Sequence, residues 1–471
     1  MLDFLKKIEP FLLYSFLGIL IALSSLHLFI GYADNGDFTR SVGFIFEKPY
    51  GFSAMWPLAG TEEFNRRFQS EWHDKWVFLN SWPDEKHLFS YSSYKLYLLL
   101  QIKLSALFLE DARYYSIIAG SLISRIIFLS AFFALFRNVR KTVPVPTFWI
   151  FVVLASMVFM AASWTAFLNS FYEDQVAIIF LPVVAFLLYK YNQQHSLKIG
   201  FSVLIFATII GSSKTAFFYF PILATPFVFP IHRGKHAAIM FALAVAICQS
   251  ITFLPVYFGQ YQKVNQYHAV YYGALKCAQQ IDEAKNIEAI GNKPVVQECI
   301  GVPFFSPAGE ACMQKANANY GDVARLIYKY PKVGFKMIAQ ALSEGSHIDV
   351  PILEKKLPGA PDFSNIPIFN LESIIFSHSL NLLVLTITAL VFPVLFLAST
   401  NNLLVCGAML KIGLFFSIFG FCQYVTVLGD GFFEITKHLM VGNFSLALSA
   451  TFLLPGLLLL TATYFQRKRI I

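Results

Sequence analysis

The sequence predicts an all-α, polytopic membrane protein with a bundle of about ten transmembrane helices, and three observations carry that reading. Of the 471 residues, 56% are hydrophobic and 17% aromatic, while only 14% are charged. Mean hydropathy is +0.59, as in integral membrane chains. Apolar stretches near the roughly 20-residue spanning length recur along the chain, with Lys and Arg clustered between them. A net charge of +8 could suggest nucleic acid, but no basic face or nucleic-acid motif accompanies it, so the charge is read as setting membrane orientation.

The stretches run at 11–32, 115–136, 146–168, 175–191, 198–213, 215–231, 237–258, 375–398, 403–427 and 445–465. The first follows Lys6 and Lys7 and precedes no convincing small-residue cleavage site, which predicts a retained signal anchor and a cytoplasmic N-terminus. Alternation then places Arg137, Arg140 and Lys141, then Lys198, then Arg233 and Lys235, and finally Arg467, Lys468 and Arg469 inside the cell. That satisfies the positive-inside rule and puts the C-terminus in the cytoplasm too. The stretch "YKLYLLLQIKLSALFLE" at 94–110 is short and carries Lys95 and Lys103. A crossing there would move Arg137 to Lys141 outside, so it is read as an amphipathic helix in the outer interface.

Two outer segments are long. Residues 33–93 hold Trp56, Trp72, Trp76 and Trp82 among charged residues, the mixture of interfacial helices at headgroup depth. Residues 259–374 are polar enough for a small, mainly helical extracytoplasmic domain. The chain thus divides into an N-terminal transmembrane region (1–258), this domain (259–374) and C-terminal transmembrane helices (375–471). Cys277, Cys299 and Cys312 fall in the domain, where an oxidising compartment permits one bridge, assigned to Cys299 with Cys312. Cys248, Cys406 and Cys422 fall in spans and read as small apolar packers. No Cys pair has zinc-site spacing with His.

Polar clusters at the membrane edge point to chemistry. "ADNGDFTR" at 33–40, "NSFYEDQ" at 169–175, "GSSKTAFFYFP" at 211–221 and "GDGFFEITKHLMVGN" at 429–443 all face outward under this topology. An active site at the outer interface would produce that asymmetry. A polyprenyl-phosphate sugar places its phosphate at headgroup level, so a transferase needs cations for the phosphate and a carboxylate for the attacking hydroxyl. Arg40, Lys214, Lys437 and His438 can supply the cations, and Asp37 or Asp34 the carboxylate.

Five ordered stretches carry a family resemblance. N-G-D-F-x-R after the first span, N-S-F-Y-E, "NQYHAVYYGAL" at 265–275, "YPKVGFKMIAQAL" at 330–342 and G-D-G-x-x-E-x-x-K-H at 429–438 resemble the WsfD-type bacterial glycan-biosynthesis hexose transferases. These look like GT-C fold glycosyltransferases, and the resemblance covers nearly the whole chain. It implies a GT-C-like bundle in the bacterial cytoplasmic (inner) membrane, with its active site facing the exterior or periplasm. The implied donor is a polyprenyl-phosphate-linked hexose, and the implied acceptor a surface glycan or lipid-linked glycan. In GT-C enzymes the acid of the first outer loop is the usual catalytic residue. Asp37 is its best counterpart here, with Asp34 three residues earlier as the other candidate base.

Each candidate also has a bland reading. Asp37 in Asn35-Gly36-Asp37 suits a turn or helix cap and can pair with Arg40. Asn169, Tyr172 and Glu173 are assigned to substrate binding, and for Glu173 and Asp174 the bland reading is a solvated inter-helix loop or a helix N-terminal acid. Lys214 is a phosphate ligand or a snorkelling lysine. If helical, Asp430, Glu434 and His438 share one face, with Lys437 able to pair with Glu434, as substrate ligands or as an ion-paired cap on the last span. His268 is a substrate ligand or a satisfied loop histidine. Clustered acids could hold a divalent cation through oxygen ligands, and no metal ligand is assigned. The rival classes are a polysaccharide polymerase or ligase and a lipid-linked sugar flippase. A flippase needs polar groups part-way through the bilayer, and Arg125 and Lys411 read as interface snorkellers.

Overall fold

A computed structural model describes residues 11, 13–19, 21–22, 75–77, 92–109, 114–229, 235–258, 262–282, 284, 286–304, 306–345, 381–390, 404–433 and 435–468. Asp34, Asp37, Arg40 and Glu434 lie outside these residues.

From residue 93, the first helices are α1 (Ser93–Ser105), α2 (Ile117–Arg140), α3 (Val145–Met160), α4 (Asp174–Gln194), α5 (Leu197–Gly211), α6 (Phe220–Val228) and α7 (Lys235–Phe258). A short ladder pairs β1 (Lys75–Val77) antiparallel to β2 (Tyr114–Ser116) just before α2. Then come α8 (Gln262–Tyr267), a π-helix at His268–Ala274, α9 (Leu275–Ala278), α10 (Gly309–Ala316), α11 (Tyr320–Lys329) and α12 (Pro331–Gly345). The chain closes with α13 (Asn381–Leu390), α14 (Leu404–Val425), the short turns Val427–Asp430 and Ile435–His438, and α15 (Met440–Lys468).

Helical residues fall within all ten apolar stretches. Four segments are long and apolar enough to cross a membrane: Ile117–Arg140, Asp174–Gln194, Cys406–Asp430 and Met440–Phe465. Five shorter apolar helices accompany them among the described residues. The chain is thus a mostly helical protein with membrane-spanning character.

Local chemistry explains the helix ends. Ser116 caps α2 by accepting from the Ala119 amide at 3.1 Å, and Arg137 and Arg140 occupy its last turn, where cations suit the negative end of the dipole. Proline in the first turn of α3 sits where its missing N–H costs nothing. α4 stops at His195, whose left-handed φ of 48° closes the helix.

One core joins α1 to α6 with α14 and α15, largely through aromatic pairs such as Phe132 with Phe159 at 4.8 Å and Phe220 with Phe419 at 4.4 Å. Between helices in a membrane-type bundle, close backbone approach replaces the hydrophobic drive. α14 and α15 follow that rule: a Cβ on Gly420 would sit 2.7 Å from Leu446, and Ser449 donates to the Gly413 carbonyl at 2.6 Å. Gly420→Leu is accordingly expected to destabilise the fold by about 1–3 kcal/mol, read as a lower thermal midpoint in detergent.

The second core packs residues 267–341 against α13, α14 and α15. Cys299 and Cys312 form a disulfide there, Cα to Cα 5.4 Å, as the sequence predicts. The described part of the domain is mainly helical, with one small hairpin at Ala289–Ile290 and Lys293–Pro294.

The faces of α1 differ from expectation. An amphipathic interfacial helix should turn polar groups outward, yet Leu96 and Leu100 are exposed while Gln101 and Ser105 are buried. The cause is a polar seam with α2, in which Gln101 donates to Ser124 at 2.7 Å and Tyr97 shares a 2.8 Å hydrogen bond with the same hydroxyl. The amino end of α1 is fastened to the end of α5: the Ser93 amide donates to Ser212 O at 3.2 Å, and Ser92 Oγ to Ser213 O at 2.8 Å.

Candidate functional site

The chain reverses at 161–173 between α3 and α4, at 212–219 between α5 and α6, and at 426–439 between α14 and α15. These three reversals meet at one end of the bundle, where α2 also begins. Three cations from three separate elements converge on the loop 169–174. Arg125 of α2 donates from Nη2 to Asn169 Oδ1 at 2.8 Å. Lys214 Nζ donates to both carboxylate oxygens of Asp174 at 2.9 Å. Lys437 Nζ lies 4.7 Å from the centroid of the Tyr172 ring. Asn169, Tyr172, Asp174, Lys214 and Lys437 are all buried. Tyr94 of α1 holds the same loop by donating to the Phe171 carbonyl at 2.5 Å.

The positions of Glu173 and Asp174 show why adjacent acids are not equivalent. Asp174 is the first residue of α4, where a carboxylate meets the positive end of the helix, and it points inward to Lys214. Glu173 is partly exposed and makes no cap bond. It acts on Lys95 at the start of α1, whose pKa is lowered by burial against the raising effect of the Glu173 carboxylate. The buried ion-pair partner is therefore Asp174, and Lys214 is committed to that pair.

Asp430 and His438 form the other side of the corner. Their expected shared helix face does not exist, because Gly431, at φ +66°, breaks the helix between them. A turn brings them together instead, with His438 Nδ1 4.0 Å from Asp430 Oδ2. Both side chains are partly exposed. Lys214 acts electrostatically on Asp430, tying this corner to the Asp174 pair. Tyr320 of α11 is coupled to it too: burial first, and the Asp430 carboxylate second, raise its phenol.

His268 is not a cation here. Burial lowers its pKa to about 4, and Nε2 accepts the Phe304 amide at 2.9 Å. The neutral ring stacks on Phe433 at 5.0 Å, so it supplies packing and no positive charge for a phosphate.

Arg125 was legible as an arginine inside an apolar run, but snorkelling is the wrong account of it. It is 3% exposed and pinned on Asn169, about 12 Å along α2 from its first residue. That depth belongs to the site end of the bundle. Among the described residues no three His, Cys, Asp or Glu side chains gather closely enough to hold a metal ion. The site therefore combines buried cations, one buried ion pair and a partly exposed Asp–His corner, a set suited to holding an anion beside an apolar bundle.

Comparison with known proteins gives the chain its relatives. A protein of Escherichia coli (strain K12) named "Uncharacterized protein YfdI" is 25% identical over 468 residues, covering 95% of each chain. No solved structure matches. The family model described as the YfdI N-terminal transmembrane domain matches residues 2–469, and the chain belongs to that family.

Proposed function

We propose that this protein is a membrane glycosyltransferase that moves a hexose from a polyprenyl-phosphate donor to a cell-surface glycan or lipid-linked acceptor. The reading sets a bundle of about ten spans in a bacterial cytoplasmic membrane, with both termini in the cytoplasm and the site and the 259–374 domain outside. The observation that supports it most is the convergence of Arg125, Lys214 and Lys437 on the loop 169–174 beside Asp430 and His438, at the end of an apolar bundle.

In inverting transfer the acceptor hydroxyl oxygen attacks the anomeric carbon as a carboxylate takes its proton, and the carbon–oxygen bond to the lipid phosphate breaks. The departing phosphate carries the developing charge, so cations are the main electrostatic requirement. Lys437, His438 and Arg40 fill that role in this reading, and Lys214 fills it indirectly by keeping Asp174 in place. Asp37 is the base, with Asp34 as its neighbour and alternate.

The test is sugar transfer from synthetic polyprenyl-phosphate hexoses by purified protein in detergent, over a panel of hexoses and glycan acceptors. Asp37→Asn is expected to keep its membrane yield and lose about 100-fold in turnover, with Asp34→Asn milder. Normal turnover in Asp37→Asn overturns the assignment of the base. No transfer by the wild type from any donor, with lipid-linked glycan crossing vesicles that contain it, replaces the enzyme with a flippase.

A further inference from the structure

We infer that the segment from His268 to Lys276 positions the Asp430–His438 corner, with His268 acting through Phe433 and the Gly431 backbone as a positioning residue. This rests on the reading of that corner as part of the transfer site. Contacts to three residues of the 430–433 turn support it.

The His268 ring stacks on Phe433, with centroids 5.0 Å apart and planes at 26°. Gly431 lies so close to the His268 carbonyl oxygen that any Cβ there would collide with it. A Cβ on Gly273 would in turn come within 3.1 Å of the Gly431 Cα, so the two backbones touch at paired glycines. Lys276 Nζ sits 4.4 Å over the Tyr272 ring and 5.9 Å from the Phe432 ring. Phe432, Phe433 and Gly431 are thus each gripped by the same short segment.

That segment, with Tyr267 just before it, is itself anchored. His268 Nε2 accepts the Phe304 amide, Tyr267 donates from its hydroxyl to Val302 O at 2.8 Å, and the Gly301 amide donates to Tyr271 O at 3.0 Å. All three partners follow Cys299, which is bridged to Cys312. The helix here is a π-helix, a geometry with poor intrinsic stability that persists where surrounding contacts require it. It faces His268 toward Phe433 while keeping Tyr271 and Gly273 against the domain and the turn. The disulfide-bonded domain therefore reaches the corner through one rigid segment, and the corner's geometry depends on a ring about which the turn itself has no choice.

Two substitutions separate positioning from general stability. His268→Gln keeps an acceptor for the Phe304 amide but removes the ring from Phe433. Lys276→Met removes the cation over Phe432 from a partly exposed position. Hydrogen exchange of the full chain in detergent is expected to rise about tenfold in residues 429–439 for His268→Gln, with 296–304 still protected. A smaller rise in the same residues is expected for Lys276→Met. Unchanged exchange at 429–439 in both variants, or a rise spread evenly over the whole domain, overturns the inference. With a transferring wild type, His268→Gln should lower kcat about tenfold at unchanged KM, and a raised KM at unchanged kcat would make His268 a ligand instead. If the wild type transfers from no donor, the transferase reading fails while the exchange experiment still decides the positioning role.

Discussion

Lys214→Met is expected to destabilise the protein by about 3–5 kcal/mol, while Asp174→Asn combined with Lys214→Met should recover most of that loss. The ammonium donates to both oxygens of Asp174 at 2.9 Å, and the two side chains are 8% and 2% exposed. Removing the lysine alone leaves an ionised carboxylate in a desolvated place, and the penalty of that orphan charge dominates the effect. Removing both charges deletes the desolvation cost together with the attraction, so the pair is worth much less than the single variant suggests. Thermal and denaturant unfolding in detergent, arranged as a double-mutant cycle, measures the difference. The same four proteins separate two roles for Lys214. A strut leaves the double variant folded and transferring, whereas a direct phosphate ligand leaves it folded and inactive.

The parts of the molecule legible in the sequence are those set by local composition. Hydropathy alone locates α2, α4, α14 and α15, because a span must be apolar along its whole length. The polar clusters at 169–175, 211–221 and 429–443 were also legible, since charged residues beside a span are conspicuous, and the fold brings all three together. What stayed hidden depends on partners remote in sequence. Arg125 acquires its meaning from Asn169, 44 residues away. Gln101 faces inward on α1 because Ser124 waits on α2, and no periodicity in 94–110 reveals that. The choice between Glu173 and Asp174 turns on which of two adjacent acids begins α4 and faces Lys214. The helix-face reading of Asp430 and His438 failed at a single torsion: Gly431 adopts a positive φ, and the turn it makes brings the two residues within 4.0 Å by another route.

The contribution of His268 to stability is expected to fall as pH drops from about 6.5 to about 4, by about 3 kcal/mol, and the difference between wild type and His268→Gln should shrink by that amount. His268 is 3% exposed, and burial lowers its pKa to about 4 from the ordinary 6.5. The folded state therefore binds a proton less readily than the unfolded chain. Between the two values the unfolded chain is protonated and the folded one is not, so each step downward in pH favours unfolding. The stabilisation is fully present above pH 6.5 and is gone below the folded value. The neighbours of the ring reinforce the neutral form: Nε2 is occupied by the Phe304 amide as an acceptor, which protonation would destroy, and Tyr267, Tyr272 and Phe433 surround the rest. The measurement is the difference in unfolding free energy between wild type and His268→Gln across pH 4 to 8, in which the titration of other groups cancels; a difference that does not change with pH overturns the prediction. Because the same ring holds Phe433, protonation that releases His268 should also loosen the 429–439 turn. The difference in 429–439 exchange between wild type and His268→Gln at matched pH should therefore shrink as the pH approaches 4, linking the titration of one buried side chain to the geometry of the Asp430–His438 corner.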